Sequence, residues 1–236
     1  MKLVADLHVH TISSGHAYST LEEYVAEAQR IGLEAIAMTD HGPAMPGSPH
    51  EWYFSNLKMV PETINGIRVY RGIEANIINK KGQLDLNDND LAKLDIVIAA
   101  MHPLCGYDNQ GEKDNTKVLE KALENPYINI IAHAGNPMYP VNVKKTVAMA
   151  KERRVLLEIN NSSFTTSRKG SRPKCLEFAK EIKRQNWKVV LTTDSHISPM
   201  LGRFDEAIKL AEEAGLTEEQ VVNTSLDKIE KYLLKR

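Results

Sequence analysis

Seven of the eight histidines in this 236-residue chain fall at the end of a β-branched, apolar run or a few residues past one. They occur in Asp6-Leu7-His8-Val9-His10, at His16, and in Thr39-Asp40-His41, Met101-His102-Pro103, Ala132-His133-Ala134 and Asp194-Ser195-His196. Imidazole is the commonest protein metal ligand and titrates near neutral pH, so this convergence points to a metal-dependent active site. Glu74 closes a further run, in Arg71-Gly72-Ile73-Glu74-Ala75. A carboxylate has two oxygens and can bridge two cations, which an imidazole cannot. The candidate ligands are therefore His8, His10, His16, His41, Glu74, His102, His133, Asp194 and His196. A catalytic zinc takes about three protein ligands and keeps an open position, so nine ligands suggest more than one ion, and three by number. Any single histidine is more simply a core or surface residue. Seven at strand ends would each need a separate reason. His50 follows Pro49 in an irregular segment and reads as solvent-exposed.

The elements that must position these groups alternate. Strands are expected over residues 2–10, 34–39, 67–72, 95–100, 128–132, 155–160 and 188–193, with helical patterns between them. Ser19-Thr20-Leu21-Glu22 has a capping-box pattern and Gly32 can stop the helix it starts. Leu21, Tyr24, Val25, Ala28 and Ile31 give that helix one apolar face. Further helices are expected over 116–123, 143–153, 173–185, 205–214 and 225–234, while 52–61 resists assignment. Alternating strands and helices imply parallel strands with crossover helices, either a closed barrel or an open doubly wound sheet. Only a closed ring gathers all the carboxyl ends at one mouth. The expected fold is thus an α/β, distorted (β/α)7 TIM-like barrel, one strand short of eight, as a single domain over 1–236.

Composition sets the bounds. A hydrophobic fraction of 42% suits an ordinary core, and a net charge of −1 without a basic block argues against nucleic acid as partner. Cys105 and Cys175 form no CxxC motif and read as reduced thiols. Without a signal sequence or a membrane-length apolar stretch, the expectation is a cytoplasmic protein with no membrane partner. A homo-oligomer is compatible with the sequence.

Around the ligands, strand alternation predicts that Asp6, His8 and His10 share one face. Asp6 and Asp40 could orient imidazoles or serve as structural carboxylates inside the barrel, and Asp40 is also a candidate proton donor for the leaving group. Arg168, Lys169 and Arg172 follow the sixth strand, where a loop should lie at the mouth. Arginine grips phosphate bidentately, which makes Arg168 the first candidate for a substrate contact, with Lys169 beside it. Asn160, Asn161, Ser162 and Ser163 could add hydrogen bonds there or simply end the strand. Trp52 and Tyr53 could pack the barrel rim or shape a substrate pocket, with core packing the favoured expectation.

The strings Asp-Leu-His-Val-His-Thr, Thr-Asp-His-Gly, Gly-Ile-Glu-Ala-Asn and the closing Asp-Ser-His resemble the PHP (polymerase and histidinol phosphatase) superfamily, in particular its YcdX-type stand-alone phosphatases. Supporting segments are His16-Ala17-Tyr18-Ser19-Thr20-Leu21, Leu157-Glu158-Ile159-Asn160-Asn161-Ser162-Ser163-Phe164 and Ser167-Arg168-Lys169-Gly170-Ser171. The resemblance runs through most of the chain. It implies three divalent ions, zinc first, with manganese or iron as alternatives. By position, His8, His10, Glu74 and Asp194 would hold one ion. Glu74 would bridge to a second on His102 and His133, with His16, His41 and His196 on the third. The reaction so implied is hydrolysis of a small-molecule phosphomonoester by a hydroxide that the cluster activates, since zinc lowers the pKa of water from 15.7 to roughly 7. Glu74 would act at the centre of that chemistry. Three alternatives stand beside it: a nuclease or phosphodiesterase, an amidohydrolase-like enzyme, and a non-catalytic metal-binding domain. The second normally uses a bridging carboxylated lysine, and no lysine stands at a matching strand end. The third predicts lost ligands, and this set is complete.

Overall fold

In the computed structural model, which describes residues 1–233, the β-branched runs pair into one parallel sheet wound towards closure. Its strands are β1 (Ala5–Val9), β2 (Ala35–Met38), β4 (Ile67–Asn76), β5 (Ile96–Ala100), β6 (Ile130–Ile131), β7 (Leu156–Asn160) and β8 (Val189–Thr192), hydrogen-bonded in that order. A short β3 (Thr63–Ile64) runs antiparallel to β4 through a turn at Asn65-Gly66. Both turn residues have positive φ, 49° and 84°, the backbone twist that a two-residue hairpin favours. The (β/α)7 expectation holds for the seven parallel strands, with irregularities that the periodicity did not show. The fifth of them, β6, is two residues long rather than the five expected over 128–132. The strand at 67 runs on to Asn76, so Glu74 lies within it rather than beyond it.

Between the ends of the sheet the missing eighth strand is replaced by a side chain. Val9 and Ser195 form a single bridge, with the His10 N–H donating to Ser195 O at 2.8 Å. Further down, the wholly buried Asn223 amide donates to Ala5 O at 2.9 Å on β1 and to Leu191 O at 2.7 Å on β8. Its own oxygen accepts from the Leu191 N–H at 3.2 Å, and its backbone oxygen accepts from the Val4 N–H at 2.9 Å. One asparagine thus satisfies backbone groups of both edge strands, which would otherwise be buried without partners.

The helices follow from their caps. In α1 (Leu21–Ile31) Thr20 is the N-cap and Glu23 completes the capping box, one residue later than the Ser19–Glu22 pairing predicted. Ser19 instead bonds Ser198. Gly32 ends the helix at φ 76°. The segment around Trp52 forms α2 (Glu51–Asn56), followed by a 3-10 turn. His50 is exposed and caps that helix, accepting from the Trp52 N–H at 3.2 Å. Trp52 is 76% exposed, against the expectation of core packing. The expected helices over 116–123, 143–153, 173–185 and 205–214 appear as α4 (Glu112–Ala122), α5 (Val143–Glu152), α7 (Arg172–Arg184) and α8 (Asp205–Glu213), besides short α3 (Asp88–Leu91) and α6 (Ser162–Thr165). The last, α9 (Leu226–Leu233), matches the expected tail, whose final residue Leu234 lies outside the described residues.

Two apolar layers hold this together. One fills the space between strands and helices. The other lines the lumen with Ala5, Leu7, Ala35, Ala37, Ile96, Ile98, Ile130, Leu156 and Val190, and is closed at the amino end of the strands by Ile229 and Leu233 of α9. No helix among the described residues is long and apolar enough to cross a membrane. Cys105 and Cys175 are buried and unbridged, and burial pushes both thiols up to about 12.

Candidate metal centre

At the carboxyl end of the strands the lumen changes from aliphatic to polar. Glu74, with no exposed surface, stands at its centre. Oε1 faces His133 Nε2 at 3.0 Å and His102 Nε2 at 3.4 Å. Oε2 faces His41 Nδ1 at 2.8 Å, His8 Nε2 at 3.4 Å and His10 Nε2 at 3.5 Å. Asp194 Oδ1 lies 3.1 Å from His10 Nε2 and 3.8 Å from His8 Nε2. The His16 ring stacks 5.0 Å from those of both His41 and His196. Three groups of donor atoms converge closely enough to hold an ion: His8–His10–Asp194, His41–Glu74–His102 and His10–His41–His196. Seven of the nine sequence-predicted ligands belong to these groups; His133 joins them through Glu74, and the exposed His16 sits at the rim beside the His41 and His196 rings.

Four buried atoms there, His8 Nε2, His10 Nε2, His41 Nδ1 and Glu74 Oε2, have no hydrogen-bond partner among the described residues. Such orphans are costly unless something else satisfies them. Nitrogen lone pairs and carboxylate oxygens pointing at a common centre are a donor set that fits divalent cations. Charge agrees. Burial alone would raise the carboxyls of Glu74 and Asp194, but the surrounding imidazoles, and Arg168 for Asp194, hold both well below the usual range. Burial likewise lowers His8, yet Glu158, Glu74 and Asp194 lift it well above its ordinary value. Positive charge is favoured at His8, whereas burial, helped by His41 and by Arg168 respectively, holds His10 and His133 below the ordinary imidazole value.

The outer shell was less legible. Glu158 on β7 was quoted only as part of a motif, yet it is the carboxylate behind the centre. It accepts from His8 Nδ1 at 2.6 Å, Thr192 Oγ1 at 2.6 Å, the His133 N–H at 2.9 Å and Asn160 Nδ2 at 3.1 Å. Its signal was present: a glutamate between leucine and isoleucine, on the lumen face of a buried strand. Asp6 does not share a face with His8 and His10. A register slip between Asp6 and Val9 breaks the alternation, leaving Asp6 opposite Ile36 in the helix-side layer. There it accepts from the backbone and hydroxyl of Thr193, and burial pushes its carboxyl up to about 6. Asp40 is enclosed by donors rather than open to a leaving group. It is fully buried, and its two oxygens accept from the Thr11 N–H, Thr11 Oγ1, Ser14 Oγ and the Tyr53 hydroxyl at 2.6–2.9 Å. Tyr53 is thereby tied to Asp40.

Three site residues sit in the left-handed backbone region, His133 at φ 39°, Arg168 at 49° and Asp194 at 54°. Each costs about 1–3 kcal/mol for a non-glycine residue and persists only where surroundings enforce it. For Asp194 the enforcement is visible: Arg168 Nη2 donates to its Oδ2 at 2.6 Å and Asn160 Nδ2 donates at 3.2 Å. Arg168 also donates to Ser163 Oγ and Asn160 Oδ1. A cavity of about 480 Å³ opens over the cluster, bordered by Arg168, Asn161, Ser162 and Ser167 on one side and by Tyr18, Ile197, Met200 and Arg203 on the other. Lys169 is exposed and does not border it, and Arg172 pairs with Glu213 at the surface, so the predicted basic run reduces to Arg168. Arg203 was not singled out from the sequence.

A PHP domain model matches residues 6–162, from the first strand through Glu158 and Asn160. The chain belongs to the PHP family. PHP relatives match it end to end: a probable phosphatase of Thermoanaerobacter sp. (strain X514) is 50% identical over 99% of this chain and 95% of its own length. A probable phosphatase of Acetivibrio thermocellus is 46% identical over 100% of this chain and 97% of its own. Like these PHP relatives, the chain is a phosphatase. Among solved structures, the histidinol phosphate phosphatase of Lactococcus lactis subsp. lactis, complexed with zinc, L-histidinol and phosphate, superposes with a TM-score of 0.61 at 17% identity, covering 90% of this chain and 94% of that one. That likeness shows the shared PHP barrel.

Proposed function

We propose that this PHP protein hydrolyses a small phosphomonoester with three divalent ions, zinc first. His8, His10, Glu74 and Asp194 would hold one ion, Glu74, His102 and His133 the second, and His16, His41 and His196 the third. The observation that carries this reading is the two-sided Glu74, with two imidazoles before one oxygen and three before the other. Divalent cations bound there would acidify water towards neutral pH and neutralise charge on the phosphoryl oxygens.

The chain's own groups do the rest. Arg168, anchored through three hydrogen bonds, fixes Asp194 and borders the cavity with charge that attracts phosphate. The hydroxyls of Ser162 and Ser167 offer donors beside it. Tyr18, Ile197 and Met200 form an apolar flank where the organic part of the ester would lie. The zinc, histidinol and phosphate in the Lactococcus lactis relative support a small-molecule ester as substrate. Elemental analysis of the purified protein, combined with a panel of phosphomonoesters and diesters, tests the proposal. About three equivalents of metal and turnover of monoesters are expected. Diester cleavage without monoester turnover, or metal-independent activity, would overturn it.

A further inference from the structure

Two ring nitrogens of the cluster are backed by carboxylates that never touch them. Ser14 Oγ lies 2.7 Å from Asp40 Oδ1, 3.1 Å from the His41 backbone nitrogen and 3.2 Å from His10 Nδ1. A hydroxyl has one proton to give. The His41 N–H can only donate to it, and a carboxylate already taking three other donors can only accept from it. Ser14 must therefore give its proton to Asp40 and accept from His10, so His10 Nδ1 carries hydrogen. A second relay obeys the same logic. Asn76 Nδ2 donates to Asp85 Oδ2 at 2.6 Å and to Gly42 O at 3.3 Å, which turns its amide oxygen towards His102 Nδ1 at 2.8 Å. A flipped amide would set oxygen against oxygen at both contacts. His102 must donate as well.

We infer that Ser14 and Asn76 are positioning residues that fix the tautomers of His10 and His102, leaving each Nε2 lone pair free to face the cations. The inference rests on the multi-metal reading above. The free nitrogens do point inward, His10 Nε2 at 3.1 Å from Asp194 Oδ1 and His102 Nε2 at 3.4 Å from Glu74 Oε1. His8 shows the other design, with Glu158 directly on Nδ1 at 2.6 Å. The neutral mediators keep two further negative charges, Asp40 and Asp85, one residue away from the centre. Orientation is thus supplied by neutral groups, with less negative charge held directly against a site that must receive phosphate.

The first test needs no substitution. In metal-free protein labelled with nitrogen-15 at histidine, at a pH where the rings are neutral, His10 and His102 should both show the Nδ1–H pattern. An Nε2–H pattern at either overturns the inference. The second uses zinc and a competing chelator. Ser14→Ala and Asn76→Ala should each weaken zinc binding by about 10- to 100-fold, and Ser14→Thr, which keeps the hydroxyl, should restore it. Wild-type protein that binds no divalent ion sinks the metal reading itself. Wild type that binds ions while both alanine variants bind as tightly sinks the positioning inference alone. Should a variant fold poorly, the wild-type tautomers decide.

Discussion

The two ends of the barrel lumen are built from the same strands and do opposite things. At the amino ends, Val4, Tyr70, Ile96 and Leu156 meet Ile229 and Leu233 of α9 in an apolar plug. At the carboxyl ends, a few residues along each strand, seven imidazoles and two carboxylates face one another around the buried Glu74. The contrast separates two demands. The plug supplies stability through burial, which is tolerant of residue identity and worth about 25 cal/mol per Å² of apolar surface. The mouth concentrates groups that burial penalises, together with left-handed backbone at His133, Arg168 and Asp194. Conservation of stability at one end permits the expense at the other.

If that division is right, substitutions at the two ends should affect different measurements. The largest effect is expected from Glu74→Gln: loss of the bridging charge should cut phosphatase activity roughly a thousandfold, or about 4 kcal/mol in the barrier, while circular dichroism stays native. Full activity with full metal content would break the comparison at once. Next comes Asn223→Ala at the seam, which strands a buried N–H and two carbonyls. It should lower unfolding stability by about 3 kcal/mol in urea, as expected for several orphaned groups. Ile229→Val, in the plug, should cost about 1 kcal/mol and leave kcat unchanged at temperatures where the protein is folded. A fall in kcat would show that plug and mouth are coupled.

The smallest effect concerns pH. Asp95 stands just before β5, at the plug end. Burial raises its carboxyl, but Arg71, donating from its backbone and from two guanidinium nitrogens, outweighs this and holds it below the ordinary value. Because the native value lies below the unfolded one, the stabilisation is present above about pH 4 and lost as pH falls through the native value. Both groups are partly exposed, so screening limits the contribution to about 1 kcal/mol or less. Asp95→Asn should therefore be less stable than wild type at pH 7, and the two urea midpoints should converge below pH 4. A gap that persists in acid would assign the effect to packing rather than charge.

How much of this was legible in the sequence follows from the range over which each feature is encoded. His8, His10, His41, His102 and His133 were readable because each lies at the end of an apolar run or a few residues past one, so local pattern fixes both strand and strand end. Glu158 carried no such local mark as a partner of His8, since its role depends on a contact 150 residues away. Asn223 likewise acts only through β1 and β8, which periodicity cannot pair. Asp6 was misread because a β-bulge cancels the alternation on which face assignments rest. The two-residue β6 was overestimated because the apolar run 128–132 packs as a buried segment whether or not every residue joins the ladder. Arg168 stood out by residue type, but its engagement with Asp194 needed the left-handed turn that brings the guanidinium back over the mouth.

The seam held by Asn223 also sets an order of events as the chain folds. β1 brings His8 and His10, while the chain beyond β8 brings Asp194 and His196, and these two groups come together only when residues near opposite ends of the sequence meet. Contacts of such high sequence separation are closed late, because their loop entropy must be overcome first. Convergence of the two ligand groups thereby rests on the latest contact rather than on any local segment.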